Sequence, residues 1–180
     1  MAKKILTIPE DEKFLRTKCE EIIEIDKKVL REAEELLEAL RTSERPGVGL
    51  AAPQIGIGKR MIVIESTGWK NDKDELVGII KLQTLLNPKV TKFSSEKEEK
   101  FEGCLSVPMY NGYVTRPKKI KVTAMDLSGK TVNINASGFL ARVLQHEIDH
   151  LDGILFIDRI DEPSKLLDAS QSVSDRETEY

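Results

Sequence analysis

The chain holds two histidines, and both lie in the stretch His146-Glu147-Ile148-Asp149-His150. Four residues along an α-helix turn the chain by about 40° and raise it by about 6 Å, so both imidazoles share one face and can reach one cation. Glu147 stands beside them. A carboxylate next to a metal-activated water can take its proton during attack and later hand one to a leaving group, the general base and acid work of a hydrolase. Two helix histidines can also pack at this spacing over a solvated glutamate. Placing every histidine of the chain in one such pattern argues for the metal instead.

A hydrolytic metal needs a third protein ligand and an open position for water. The longer pattern of metzincin proteases is met at Gly153 but fails at its next ligand position, where Phe156 cannot coordinate. Asp158, Asp161 and Glu162 stay open as the acidic third ligand of another kind of zinc peptidase. Cys104 is the stronger choice. A thiolate binds borderline and soft divalent ions well, and a two-His, one-Cys set leaves the fourth position to water. Taken alone, Cys104 reads equally well as a small buried hydrophobe. The other cysteine, Cys19, lies in an acidic stretch, and so sparse a pair is seldom a disulfide scaffold.

These groups need elements to hold them. Phe139 to Leu151 is an apolar-rich helix with Ser137 as candidate N-cap and Gly153 as its stop, and it carries both histidines. Asp26 to Thr42 sets Val29, Ala33, Leu36, Leu37 and Leu40 at helical spacing, and about two heptads is too short for a coiled coil. Ser43 to Gly47, with Pro46, ends that helix. A small-residue loop, Gly47 to Gly58, leads into Met61 to Glu65, whose Ile and Val content predicts a strand. Thr67 to Glu75 is polar, carries the only tryptophan, Trp69, and reads as an exposed excursion. The apolar run Gly78 to Leu86 follows, closed by Asn87 and Pro88. Val90 to Phe93, Lys119 to Asp126 and Thr131 to Ala136 read as strands, the last two joined by a turn at Leu127 to Lys130 with its Gly129. This predicts a mostly antiparallel sheet.

A length of 180 residues with 39% hydrophobic content suits one core and one domain. The 28 basic and 31 acidic residues are intermixed, for a net charge of -3, which offers no basic face to nucleic acid or anionic lipid. Met1 to Ile5 is basic but no apolar run of signal-peptide length follows, and no segment approaches the ~20 apolar residues of a membrane span. We expect a soluble cytoplasmic protein, with an organelle still open if a transit peptide has been removed. The polar stretch Ala169 to Tyr180 is expected to be frayed or disordered.

Three stretches, Gly47-Val48-Gly49-Leu50-Ala51-Ala52-Pro53-Gln54, Glu102-Gly103-Cys104-Leu105-Ser106 and Gln145-His146-Glu147-Ile148-Asp149-His150, together resemble the signature motifs of the peptide deformylase family. They are complete and in the family's order, and the resemblance runs from the N-terminus to Asp161. It implies an α+β fold in which antiparallel β-sheets surround a central helix bearing the HExxH pattern. Residues 1–168 would form a single catalytic domain and 169–180 a disordered tail. The implied reaction removes the formyl group from the formyl-methionine of newly made polypeptides and releases formate.

The same resemblance assigns Cys104, His146 and His150 as metal ligands, a metal-activated water as nucleophile and Glu147 as general base and acid. It makes the side-chain amide of Gln54 and the backbone N–H of Leu105 oxyanion donors, a role typically worth ~3 kcal/mol each. Gln54 on its own would read as an ordinary loop amide. Val48, Gly49 and Gly103 would flank the substrate, the glycines (with Gly47) letting an extended peptide approach the backbone. Phe139, Arg142 and Val143 would line a methionine pocket, with Arg142 lending its aliphatic stem while its charge reaches water. By composition, Phe139 and Val143 are equally ordinary core residues. An ion pair between Glu102 and Arg116 would brace the cysteine loop.

One divalent metal ion per chain is implied. The family favours iron(II) in vivo, and the ligand set also suits zinc, nickel or cobalt. The implied partners are N-formylmethionyl nascent peptides and, transiently, the ribosome. Two departures stand out. Some bacterial relatives carry a substrate-holding arginine shortly after the cysteine motif, where this chain has Asn111, after Met109 and Tyr110. Many end in a basic helix, whereas Asp175 to Tyr180 is mainly acidic, so ribosome docking would not run through such a helix.

Overall fold

The computed structural model describes residues 3–70, 73 and 75–169. In chain order the elements are α1 (Glu12–Leu15), α2 (Lys27–Arg41), β1 (Gly49–Ala51), β2 (Met61–Lys70), β3 (Leu76–Phe93), β4 (Lys97–Gly103), β5 (Tyr110–Pro117), β6 (Lys119–Met125), β7 (Thr131–Ser137), α3 (Gly138–Leu151) and β8 (Leu166–Asp168). Short 3-10 turns occupy Ala52–Ile55, Phe156–Arg159 and Pro163–Lys165. Every named strand pairs antiparallel, in a five-stranded sheet ordered β1-β2-β3-β6-β7 and a three-stranded sheet ordered β4-β5-β8. The expected α+β class holds.

The packing follows from the alternation of side chains along a strand. On β2, Ile62 and Ile64 share a core with Ala141, Leu144, Ile148 and Leu151 of α3. Met61 and Val63 face the other way and share a second core with Val29, Ala33, Leu36 and Leu40 of α2. Helices on both faces explain why Met61 to Ile64 is apolar without a break, each such side chain contributing ~1.5–3 kcal/mol of burial. Beyond α3, Phe156 and Leu155 join Val107 and Val114 in a third cluster under the small sheet. The central helix thus lies between the two sheets.

The structure extends or corrects several sequence expectations. The helix over 26–42 forms as Lys27–Arg41, with Asp26 accepting from the Val29 N–H at 2.8 Å. The runs read as ending at Asn87 and Pro88 are one strand, β3, with its register shifting between Leu86 and Lys89. A bulge lets proline sit inside a paired strand, since its missing N–H falls where the ladder is already interrupted. Asn87 there takes φ 49° and its amide brackets the backbone of Ile22, at 2.8 Å on each side.

The excursion at 67–75 is in part ordered strand, because β2 runs on to Lys70 and Trp69 pairs with Val77. The charged β4 and its partner β5 carry no apolar alternation of the kind that marked the other strands. Their pairing, not their composition, makes them strands. Ser137 occupies the N-cap position of α3, but its hydroxyl makes no cap. Of the tail expected to fray, Ala169 is hydrogen-bonded to the Met109 carbonyl at 2.9 Å. Residues 170–180, including the acidic Asp175 to Tyr180, lie outside the described residues.

Candidate metal centre

Helix α3 delivers both histidines from a fixed base. Its C-terminal end is held by Arg60, which donates to the Leu151 carbonyl at 3.3 Å and to Asp152 at 2.6 Å, a cation where the helix dipole favours one. Gly153 stops the helix at φ 73°, and a Cβ there would lie 2.3 Å from the Arg16 carbonyl, so only glycine fits.

Cys104 arrives from the turn between β4 and β5. Its Sγ lies 3.2 Å from Nε2 of His150. The ligand atoms of Cys104, His146 and His150 all fall within 4.8 Å of one another. Asp158 is instead engaged by Arg16 at 2.6 Å and Asp161 by Lys165 at 2.9 Å, and none of Asp158, Asp161 and Glu162 joins the group. Phe156 lies nearly parallel to the His146 ring, 19° between planes and 6.3 Å between centroids.

Glu102 orients His146. Its Oε2 lies 3.0 Å from His146 Nδ1, while Arg116 forks onto both carboxylate oxygens at 2.7 and 3.0 Å and Arg142 donates to Oε1. Burial alone would raise the Glu102 pKa, but the hydrogen bonds from His146 and Arg116 outweigh it and hold the carboxyl well below its usual range. An ionised carboxylate can only accept, so Nδ1 carries the proton and Nε2 keeps its lone pair for a cation. The expected Glu102 to Arg116 pair is present, 6% and 4% exposed respectively. Arg116 also reaches Asp149 at 2.8 Å, and Asp149 is clasped by Arg159 at 2.6 and 3.1 Å.

The charge states suit a metal. Burial lowers the His150 pKa and keeps that ring neutral, the form a ligand needs. Burial also works against a charge on His146, yet hydrogen bonds with Cys104 and Glu102 win and raise its pKa. One sulfur and two imidazole nitrogens converge, with His146 fixed from behind by Glu102, and this set fits a divalent ion.

Glu147 is 4% exposed, and its Oε2 has no hydrogen-bond partner among the described residues. Burial pushes its pKa up to about 7, where a carboxyl can both take and give a proton near neutrality. Its carboxylate rests on Gly49: a Cβ at that position would stand 2.6 Å from Oε1. Gly103 likewise leaves room for Asn111, whose Oδ1 would be 2.6 Å from an added Cβ. Both glycines therefore accommodate side chains of this chain, a reason the sequence alone does not give.

Gln54, 2% exposed, cannot flip. The Ala51 N–H donates to its Oε1 at 2.8 Å, which turns Nε2 toward Ser106 Oγ at 3.0 Å and Cys104 Sγ at 3.7 Å. Leu105 follows Cys104, and among the described residues its N–H donates to nothing. The N-terminal segment ties these two loops together, Leu6 N–H to the Gln54 carbonyl at 2.7 Å and Ile8 N–H to the Ser106 carbonyl at 3.0 Å.

Val143 is buried in the α3 core, and Val48 and Phe139 are half-buried against it. Trp69 meets Phe139 edge-on with centroids 4.8 Å apart. Arg142 departs from expectation. Its charge does not reach water but turns inward to Glu102, to the Val114 carbonyl at 2.9 Å and to the Glu98 carbonyl at 2.7 Å. The strong acceptors inside outcompete solvation of a side chain only 12% exposed. Sequence reasoning assigns no role in the site to Ser106, Asp149 or Arg159, although the first two lie inside the motif stretches. Ser106 sits two residues from Cys104 and Asp149 within the histidine pattern, which is the only local signal either carries.

Comparison with known proteins is consistent with this geometry. A family model described as polypeptide deformylase matches residues 2–166. A peptide deformylase of Natranaerobius thermophilus is 43% identical over 160 residues, 89% of this chain and 93% of that protein. Among solved structures, a peptide deformylase from Ehrlichia chaffeensis superposes with a TM-score of 0.78 at 35% identity, covering 90% of this chain and 89% of the other. A Met-Ala-Ser-bound class I type b peptide deformylase from Acinetobacter baumannii gives 0.78 at 34% identity, covering 89% and 99%.

Proposed function

The chain belongs to the polypeptide deformylase family, and on that premise we propose that it is a metal-dependent hydrolase removing the formyl group from the formyl-methionine end of new polypeptides. The observation that carries the reading is convergence. Three ligand atoms within 4.8 Å, a buried carboxylate on Gly49 and a Gln54 amide turned toward Cys104 meet at one place.

Cys104 Sγ and the Nε2 atoms of His146 and His150 would hold one divalent metal. Such an ion, when bound, polarises a carbonyl and makes water acidic enough to lose a proton near neutral pH. The chain's own groups do the rest. Glu147 takes the proton of the water that adds to the formyl carbon. As the carbon-nitrogen bond breaks, Glu147 returns a proton to the departing amine, leaving formate and a free N-terminus. Gln54 Nε2 and the Leu105 N–H donate to the oxygen that gains charge in between. Because Ala51 fixes the Gln54 amide beforehand, that donor needs no reorganisation at the moment of reaction.

Val48, Gly49 and Gly103 flank the extended peptide. Phe139 and Val143, with the methylene stem of Arg142, receive the methionine side chain. Iron(II) is the metal we assign in the cell, and zinc, nickel or cobalt would occupy the same ligands in purified protein. Residues 1–168 act as one catalytic unit in the cytoplasm, meeting nascent chains with any ribosome contact made away from the acidic tail. No helix of the described residues is long and apolar enough to cross a membrane.

The decisive experiment measures formate released from formyl-Met-Ala-Ser by anaerobically prepared protein, beside a Glu147→Ala variant that keeps its metal. Release by the parent with a loss of ~10²–10⁴-fold in the variant is expected. A fully metallated parent that releases no formate would overturn the proposal.

A further inference from the structure

We infer that Arg159, on the turn that follows α3, is a positioning residue for the metal ligand His146, acting through Asp149, Arg116 and Glu102. Charges alternate along this path from the surface inward. Arg159 gives Asp149 two hydrogen bonds, Nη2 to Oδ1 at 2.6 Å and Nε to Oδ2 at 3.1 Å. Arg116 Nη1 shares Oδ2 of Asp149 at 2.8 Å and forks onto Glu102, which accepts from His146 Nδ1 at 3.0 Å. Arg159 is the outermost member, with a side chain 45% exposed, while those of Asp149, Arg116 and Glu102 are 11%, 5% and 4% exposed.

The consequence is mechanical and electrostatic together. Asp149 and Glu102 share the Arg116 guanidinium, Glu102 being held on one oxygen by Arg142 as well, and each is a buried anion that cannot stay unpaired. Arg159 satisfies Asp149 from outside, which leaves Arg116 free to hold Glu102 in the position that aims His146. With Arg159 removed, Asp149 has Arg116 as its remaining cation. It draws that fork away from Glu102, leaving Arg142 on Oε1 but no cation on the Oε2 that faces His146, and the His146 ring loses its fixed orientation. The same turn lays Phe156 alongside His146, so one short segment steadies the ligand by ring contact and by charge.

This inference rests on the metal-centre reading and not on the reaction, so its test reads the metal. Cobalt(II)-loaded protein would be prepared for the parent, Arg159→Gln, Arg159→Lys and Arg16→Ala. Arg16 pairs with Asp158 at 2.6 Å on the same turn and does not touch Asp149, so its loss loosens the segment while sparing the charge path. The readouts are the thiolate-to-cobalt and ligand-field absorption bands and the rate of cobalt loss to excess chelator.

We expect shifted bands and about 3- to 10-fold faster release in Arg159→Gln, below the ~10–100-fold typical of a partner touching the ligand itself. Arg159→Lys should fall between it and the parent, and Arg16→Ala should match the parent in both readouts. Parent-like spectra and release in Arg159→Gln would overturn the inference. So would an equal change in Arg16→Ala, since anchoring of the turn would then account for everything. A parent that binds no cobalt would overturn the metal-centre reading beneath it, whatever its formate release.

Discussion

Replacing Gly49 by alanine should disable the enzyme without unfolding it. The backbone at Gly49 does not require positive φ, so alanine is conformationally acceptable there. The added Cβ, however, would stand 2.6 Å from Glu147 Oε1 and 2.9 Å from both Cγ and Cδ, where ordinary contact begins at 3.4 Å. The carboxylate must retreat by about 0.8 Å, and a misplacement near 1 Å can cost ~10²-fold in rate. Overpacking at a buried site costs ~1–3 kcal/mol, partly offset by the ~0.4–1 kcal/mol gained when glycine's freedom in the unfolded chain is reduced. The net change of ~0–2.6 kcal/mol should lower Tm by no more than ~10 °C in a chain of this size.

The assay is formate release from formyl-Met-Ala-Ser, with metal content and thermal melting measured on the same preparations. We expect kcat to fall ~10²-fold and KM to stay within about threefold, because the displaced group handles a proton in flight rather than gripping substrate. Gly47→Ala is the matched control. Its Cβ would meet the flexible side-chain ends of Leu105 and Leu40 at 3.0 and 3.1 Å, which can give way, so kcat should change less than about fivefold. A folded, metal-loaded Gly49→Ala enzyme with kcat within about threefold of the parent would refute the placement of Glu147 as the proton carrier.

Other expectations are more briefly stated. Glu102→Gln should weaken metal binding by ~10–100-fold, measured by competition with a chromophoric chelator. Each Glu102 oxygen accepts two donors, from Arg116 and Arg142 on one side and from Arg116 and His146 on the other, so either orientation of the amide sets its NH₂ against cations or the ring N–H. Unchanged metal affinity would contradict the network. Because the folded-state pKa of Glu102 lies below its usual 4.5, this carboxylate's stabilisation is fully present above that pH and lost as pH falls below it. Metal-free parent protein should therefore lose Tm on acidification below about pH 4.5 more steeply than metal-free Glu102→Gln. Parallel profiles would argue against it. The iron(II) form, with a thiolate ligand at Cys104, should lose formate release in air while nickel or cobalt forms retain it. Equal air stability of the iron form would count against iron as the ligand set's redox-sensitive partner.

What could be read from the sequence was whatever depends on short spacing. Two histidines four apart lie on one helix face in any packing, Gly153 stops that helix, and Asp26 begins α2, because capping and helical periodicity are settled within a few residues. The hairpin of β6 and β7 was legible for the same reason, its turn being local. Ligand chemistry made Cys104 the stronger third ligand and motif resemblance added Gln54, but neither residue's chemistry can be read from its neighbours alone.

Tertiary structure decided everything that depends on long separation. The Cys104 sulfur reaches His150 across 46 residues of chain, and Glu102 meets His146 across 44. The charged strand β4 exists because β5 pairs with it, and the apparent break at Asn87 and Pro88 is absorbed as a bulge because neighbours on both sides hold β3 in line. Arg142 was expected to point its charge to water and instead turns inward, since buried acceptors on β5 and at Glu102 are visible only once the sheets have closed over α3. Gly49 shows the division most simply: a glycine in a loop motif, whose missing side chain is the space in which Glu147 sits.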